Sequence, residues 1–177
     1  VLECPEGLLL IDQHAAHERI LFERLQGEVQ ASRIAVQQLL FPLSLELTQS
    51  ERLAAEQHAT ELAALGFGLE PFGGKTYLLR SVPAVVAEQD CARLVRDLLD
   101  EATEKGRPLG HVELRERALA IMACRAAIKA HQALNAVEMQ HLLREIERAG
   151  ISTSCPHGRP IMALLPAKEV LGWFGRS

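Results

Sequence analysis

The sequence predicts an α+β fold, and three observations carry that expectation: short apolar runs bounded by turn residues, longer stretches with helical apolar spacing, and a composition suited to a packed core. Of 177 residues, 48% are hydrophobic and 24% charged, ordinary values for a globular chain, and a chain of this length buries a core without disulfide staples. No run of about 18 apolar residues offers a membrane span. With 4 cysteines the chain does not read as a disulfide scaffold, and a reduced compartment is the expectation. It starts at Val1 rather than Met, has no basic segment leading an apolar one, and reads as a piece of a longer protein.

The elements follow in order. Residues 8–11 form a continuous apolar run after Pro5 and Gly7, expected to be a buried strand ending at Asp12. Residues 14–25 read as a helix, with Ile20, Leu21 and Leu25 inward, Asp12 as its N-cap and Gly27 near its stop. Residues 35–47 alternate loosely around Pro42 and read as two short strands or one bent edge strand. Residues 48–65 read as one helix capped by Thr48 or Ser50, with Leu53, Ala54, Leu62 and Leu65 inward and Gly66 as its stop. Residues 67–72 and 75–81 make a hairpin across Gly73-Gly74.

Residues 90–105 form an amphipathic helix closed by a loop over residues 106–110, the best internal boundary. The stretch 114–134 has no Gly or Pro and is expected to be one long helix; Asn135 breaks it, and residues 136–149 make the next. A strand over 161–165 and a helix over 168–174 complete the chain.

Charge narrows the function classes. The net charge of -4 rules out a polycation that grips duplex nucleic acid unaided. Residues 1–105 hold 9 basic and 17 acidic side chains, whereas residues 106–177 hold 10 and 6. A phosphate-bearing partner would meet the second half; the bland account is a mixed, solvated surface.

Three clusters carry chemistry. Asp12 lies where a strand hands over to a helix, and His14 and Glu18 are four apart on one helical face, donors that suit zinc or manganese. The same residues also read as a helix cap followed by an exposed pair. Glu23, farther along, reads as a salt-bridge former. In Cys155-Pro156-His157 the proline extends the preceding backbone, so thiol and imidazole point the same way; a buried thiol beside a surface histidine is the plain account. Cys124 sits on or near an apolar helical face, where a small core residue also fits. His17, His58, His111, His131 and His141 have no ligand-type neighbour at useful spacing and read as surface or packing residues.

Taken together, D-Q-H-A-A-H-E-R-I-L-F-E over residues 12–23, A-C-R over 123–125 and C-P-H-G-R-P over 155–160 resemble the C-terminal domain of the MutL mismatch-repair proteins. The likeness is to the branch carrying an endonuclease, whose pattern DQHA(x)2E(x)4E is met at every fixed position. Phe174-Gly175-Arg176 is similar to that family's terminal F-x-R.

The resemblance implies two subdomains: a dimerisation subdomain from residues 1–30 and 114–177, holding the metal site, and an inserted external or regulatory α/β subdomain from 31–113. It implies metal ligation by Asp12, His14, Glu18, Cys124, Cys155 and His157, with Asp12 and Glu18 essential for hydrolysing one DNA phosphodiester. Mn²⁺ would serve catalysis and Zn²⁺ structure or regulation. Arg125 and Arg159 would contact phosphate or hold a site carboxylate, with Glu23 and Arg176 as supports.

Gln37, Leu40 and Pro42 match the family's Q-x-x-L-x-P motif for the replicative sliding clamp, an extended peptide with apolar anchors. A homodimer, DNA and, through the full-length protein, a mismatch-recognition protein are the other implied partners. ATP enters only through an N-terminal region of full-length members. Nicking without base-sequence specificity is expected, since no basic recognition helix is evident. Weak intrinsic grip on DNA makes activity depend on clamp, dimer and ATPase region, in the cytoplasm at the nucleoid. The alternative is a non-catalytic dimerisation module with structural zinc, for which four ligands and no open position suffice. A zinc hydrolase acting on peptides lacks any H-E-x-x-H signature.

Overall fold

The computed structural model describes residues 1–103, 109–129, 131–149 and 160–176. Strands and helices alternate through both of its compact units, an α+β fold as expected: Val1–Glu23 with Ala127–Ser177, and Arg24–Ala126.

In the first unit, β1 (Leu2–Cys4), β2 (Gly7–Ile11) and β6 (Met162–Pro166) form an antiparallel sheet with β2 in the centre. β1 was not anticipated; it folds back on β2 through Leu2↔Leu9 and Cys4↔Gly7 pairing. Gly7 is irreplaceable here. Its φ is +145°, and a Cβ would stand 2.1 Å from the Leu165 carbonyl oxygen.

Helix α1 (Gln13–Gln30) starts in this unit. Ala15, Ala16 and Ile20 pack with Ile161 and with Leu142 and Ile146 of α6 (Ala136–Ala149) as its core. Asn135 caps α6 reciprocally: its Oδ1 accepts from the Val137 and Glu138 N–H groups, while Glu138 Oε2 accepts from its own N–H. Helix α7 (Ala167–Trp173) follows β6 directly.

α1 runs through Gly27 and ends later, where Ser32 takes a left-handed φ of 52° and the Arg33 N–H reaches the Glu28 carbonyl. In the second unit, β3 (Val36–Glu46), β5 (Thr76–Pro83) and β4 (Gly68–Gly73) form an antiparallel sheet, with β5 central and β3 on an edge. β3 is one bent strand. Its register against β5 shifts between Gln38 and Leu43, so four residues of β3 oppose Arg80 alone. Gly73 and Gly74, both at positive φ, turn β4 into β5.

The expected single helix over residues 48–65 is two, α2 (Gln49–Gln57) and α3 (Ala59–Ala64), broken at His58, whose backbone leaves the helical region at φ −111°, ψ 21°. Thr48 and Glu51 form the capping box of α2. Ala54, Leu62 and Leu65 are buried as expected, but Leu53 is 59% exposed, because it lies on the face of α2 opposite buried Glu51, Ala54 and Ala55.

Helix α4 (Cys91–Thr103) buries Leu94, Leu98 and Leu99, each burial contributing roughly 1.5–3 kcal/mol. α5 (His111–Ala126) packs against α4 and the short 3-10 turn Ala84–Val86. The long helix expected to reach residue 134 therefore stops at Ala126. Beyond it, side chains of α1 capture the backbone: the Ile128 N–H donates to His17 Nδ1, and the Ile128, Lys129 and Gln132 carbonyls accept from His14 and Gln13. Among the described residues no helix is long and apolar enough to cross a membrane.

Candidate metal centre

The strand-to-helix handover is built from its backbone outward. The Asp12 N–H donates to the Ile161 carbonyl at 2.9 Å, ending β2 beside the start of β6. Asp12 then caps α1: Oδ1 accepts from the N–H groups of His14 at 2.9 Å and Ala15 at 3.1 Å. The expected cap is thus present, and both of its bonds fall on a single carboxylate oxygen.

His14, half-buried, has Nδ1 2.8 Å from the Ile128 carbonyl oxygen. A carbonyl only accepts, so Nδ1 carries the proton, and the lone pair of the neutral ring lies on Nε2. Metal-ligating histidines are commonly oriented this way, by a hydrogen bond from the other ring nitrogen. His17 does the reverse, its Nδ1 accepting from the Ile128 N–H at 3.0 Å. Gln13 Nε2 adds bonds to the Gln132 carbonyl at 2.6 Å and the Lys129 carbonyl at 3.3 Å. Gln13 and His17 carry no ligand role in the motif; their part as backbone clamps was not legible, because it depends on where Ile128, Lys129 and Gln132 return. Glu18, one turn past His14, is 4% exposed, an unusual setting for a carboxylate.

The other expected site residues are dispersed. Cys124 lies half-buried on α5, next to fully buried Ala123. Arg125 pairs with Asp97 of α4, and Glu23 pairs with Arg19, as its spacing suggested. Arg176 is exposed, its N–H donating to the Leu171 carbonyl where α7 ends. Cys155, His157 and Arg159 lie outside the described residues. Gln37, Leu40 and Pro42 stand on β3; the register shift carries Leu40 and Phe41 outward, at 88% and 78% exposure.

Among the described residues, one group of three ligand-type side chains brings its donor atoms within 4.8 Å of one another, and it is His58, Glu61 and His111. Asp12, His14 and Glu18 do not make such a group by themselves. His58 is a packing residue and His111 a surface one, as expected, but the expectation that neither has a ligand-type neighbour is corrected: α3 and α5 bring them together. The His58 and Glu61 spacing was a local hint, whereas His111 is tied to them only by the fold.

Fold and junction together define an α+β domain with a carboxylate–imidazole pair where a strand enters a helix. The chain belongs to the family described as the MutL C terminal dimerisation domain, which it matches over residues 1–134. It is similar to the DNA mismatch repair protein MutL of Symbiobacterium thermophilum, 45% identical over 97% of this chain and 28% of that protein. The MutL of Trichlorobacter lovleyi is 40% identical over 98% of this chain and 30% of its own length. For Caulobacter vibrioides MutL the identity is 39% over 99% and 28%. The chain spans less than a third of the curated relatives it matches.

Proposed function

We propose that this chain is the metal-dependent endonuclease and dimerisation domain of a MutL-type mismatch repair protein, nicking duplex DNA without base-sequence specificity. The carrying observation is the His14 imidazole, whose Nδ1 bond to the Ile128 carbonyl leaves Nε2 as its lone-pair nitrogen beside a carboxylate that caps through Oδ1 alone. That donor set fits a divalent cation of the Mn²⁺ or Zn²⁺ kind. Asp12, His14 and Glu18 would hold it, with Cys124, Cys155 and His157 completing the set. Such an ion supplies Lewis-acid charge to a phosphodiester under attack. The chain's own contribution is orientation: the α1 cap fixes Asp12, the Ile128 carbonyl fixes His14, and burial fixes Glu18.

Dimerisation is supported by large apolar side chains left exposed on the first unit, among them Leu10, Leu164, Leu171, Trp173 and Phe174. The division into a dimerisation subdomain, residues 1–30 and 114–177, and an inserted regulatory one, 31–113, belongs to the same proposal. The outward bend of β3 suits clamp docking through Gln37, Leu40 and Pro42. DNA, a mismatch-recognition protein and a cytoplasmic, nucleoid-associated site of action are the remaining parts of the reading.

The test is supercoiled plasmid incubated with the protein, Mn²⁺ and clamp. Wild type is expected to give nicked circles and Asp12→Asn to leave the plasmid supercoiled. Equal nicking by both removes Asp12 from the mechanism, and a wild type that leaves the plasmid supercoiled overturns the catalytic reading in favour of a dimerisation module with structural zinc.

A further inference from the structure

His58 stands at the break between α2 and α3, and its backbone serves both: its N–H donates to the Ala54 carbonyl, and its carbonyl accepts from Leu62, each at 2.9 Å. The side chain caps neither helix. It is turned inside, 1% exposed, with both ring nitrogens buried and lacking a hydrogen-bond partner among the described residues. Leaving an imidazole's donor and acceptor unmade in the interior is unfavourable.

Three residues on, Glu61 shares that side of the chain. Its Oε1 meets His111 Nδ1 at 2.5 Å, while its buried Oε2 has no hydrogen-bond partner among the described residues. His111 opens α5, its side chain 67% exposed, and its ring meets that of His58 edge-on with centroids 5.9 Å apart. Burial holds the His58 imidazole below its ordinary pKa; the Glu61 carboxylate opposes that shift and His111 adds to it. Near neutral pH the ring is uncharged and keeps a lone pair.

We propose that His58, Glu61 and His111 bind a divalent transition-metal ion of the zinc kind, using none of the residues of the Asp12–His14–Glu18 set. Two imidazoles and one carboxylate are a zinc ligand set with a fourth position left for water or an outside donor. Calcium and magnesium, which favour all-oxygen shells, are disfavoured by the two nitrogens. Bonds of about 2.0–2.2 Å in tetrahedral array place donor atoms roughly 3.4 Å apart. Reaching that spacing from the present spread of 4.8 Å or less means parting His111 Nδ1 from Glu61 Oε1, now 2.5 Å away, which the exposed His111 side chain allows, and small adjustments of the other two. The ion answers one unpartnered ring nitrogen of His58 and the buried Oε2 of Glu61 together, and it ties the α2–α3 break to the start of α5. Because His111 is open to solvent, the ion can exchange.

The test separates this site from the family's ligand set. In protein carrying Cys155→Ser and His157→Ala, equilibrium dialysis against Zn²⁺ is expected to retain one bound equivalent. Adding His111→Ala or Glu61→Gln should weaken that binding by about 10–100-fold. In the otherwise unaltered protein, His111→Ala should lower zinc stoichiometry by one and reduce the zinc-dependent rise in Tm, while its metal-free Tm stays near wild type. Zinc binding unchanged by both His111→Ala and Glu61→Gln overturns the proposal, as does the absence of the retained equivalent together with unchanged stoichiometry in the single variant.

Discussion

The two ligand-type clusters are assembled in opposite ways. Asp12, His14 and Glu18 come from one continuous stretch, and main-chain bonds already orient the first two. His58 and His111 meet only because α3 and α5 fold together, and the His58 nitrogens lack hydrogen bonds among the described residues. The first cluster is held by its own scaffold whether or not an ion is present. The second concentrates unmet polar atoms, so an ion has more to contribute to its stability.

The sharpest break in this comparison lies at Asp12. Asp12→Asn is expected to reduce Mn²⁺-dependent nicking at least about 100-fold and to leave zinc at His58, Glu61 and His111 untouched. Loss of both would mean that the clusters are not independent.

Gly7→Ala attacks the scaffold of the first cluster alone. A methyl group against the Leu165 oxygen forces β2 and β6 apart, and the urea midpoint should report a loss of about 3 kcal/mol. An unchanged midpoint would show that the start of the strand that delivers Asp12 tolerates repacking.

Glu51→Gln probes the second cluster through the helix that ends at His58. Half of the α2 capping box and the Arg96 ion pair weaken, for about 1 kcal/mol at neutral pH. Burial raises the Glu51 carboxyl, but the Thr48 bonds and the Arg96 charge outweigh it, so its pKa lies below the ordinary 4.5. A carboxyl depressed on folding stabilises fully above its unfolded value, and that contribution drains away as pH falls below about 4.5. Wild type should therefore lose stability more steeply in acid than Glu51→Gln, as denaturation midpoints across pH would record. The mildest change, Asn135→Ala, removes the α6 cap for about 0.5–1 kcal/mol and should leave zinc-dependent stabilisation intact.

What could be read in advance follows the range of the forces involved. The Asp12 cap, a cap at Thr48 or Ser50, the Gly73-Gly74 turn and the start of α6 at Ala136 rest on neighbours within four residues, and spacing revealed them; that Thr48 pairs with Glu51 in a box came from the structure. The end of α5 was illegible because Gln13, His14 and His17 compete for the backbone of Ile128, Lys129 and Gln132 across more than a hundred positions. Continuous apolar spacing across that stretch carried no trace of the competition. Cys155 and His157 lie outside the described residues, so their place in the ligand set still rests on the family pattern. His58 and His111 looked idle because each lacks a ligand-type partner nearby except Glu61, and tertiary packing supplies the third.

The bend in β3 has a further consequence for solubility. A strand on a sheet border with exposed Leu40 and Phe41 invites a second sheet to add on and continue as a fibre. The four residues opposing Arg80 interrupt the regular ladder, and Pro42 has no N–H to offer an incoming strand. Straightening that border with a proline-free segment would turn an interrupted edge into a seed for aggregation.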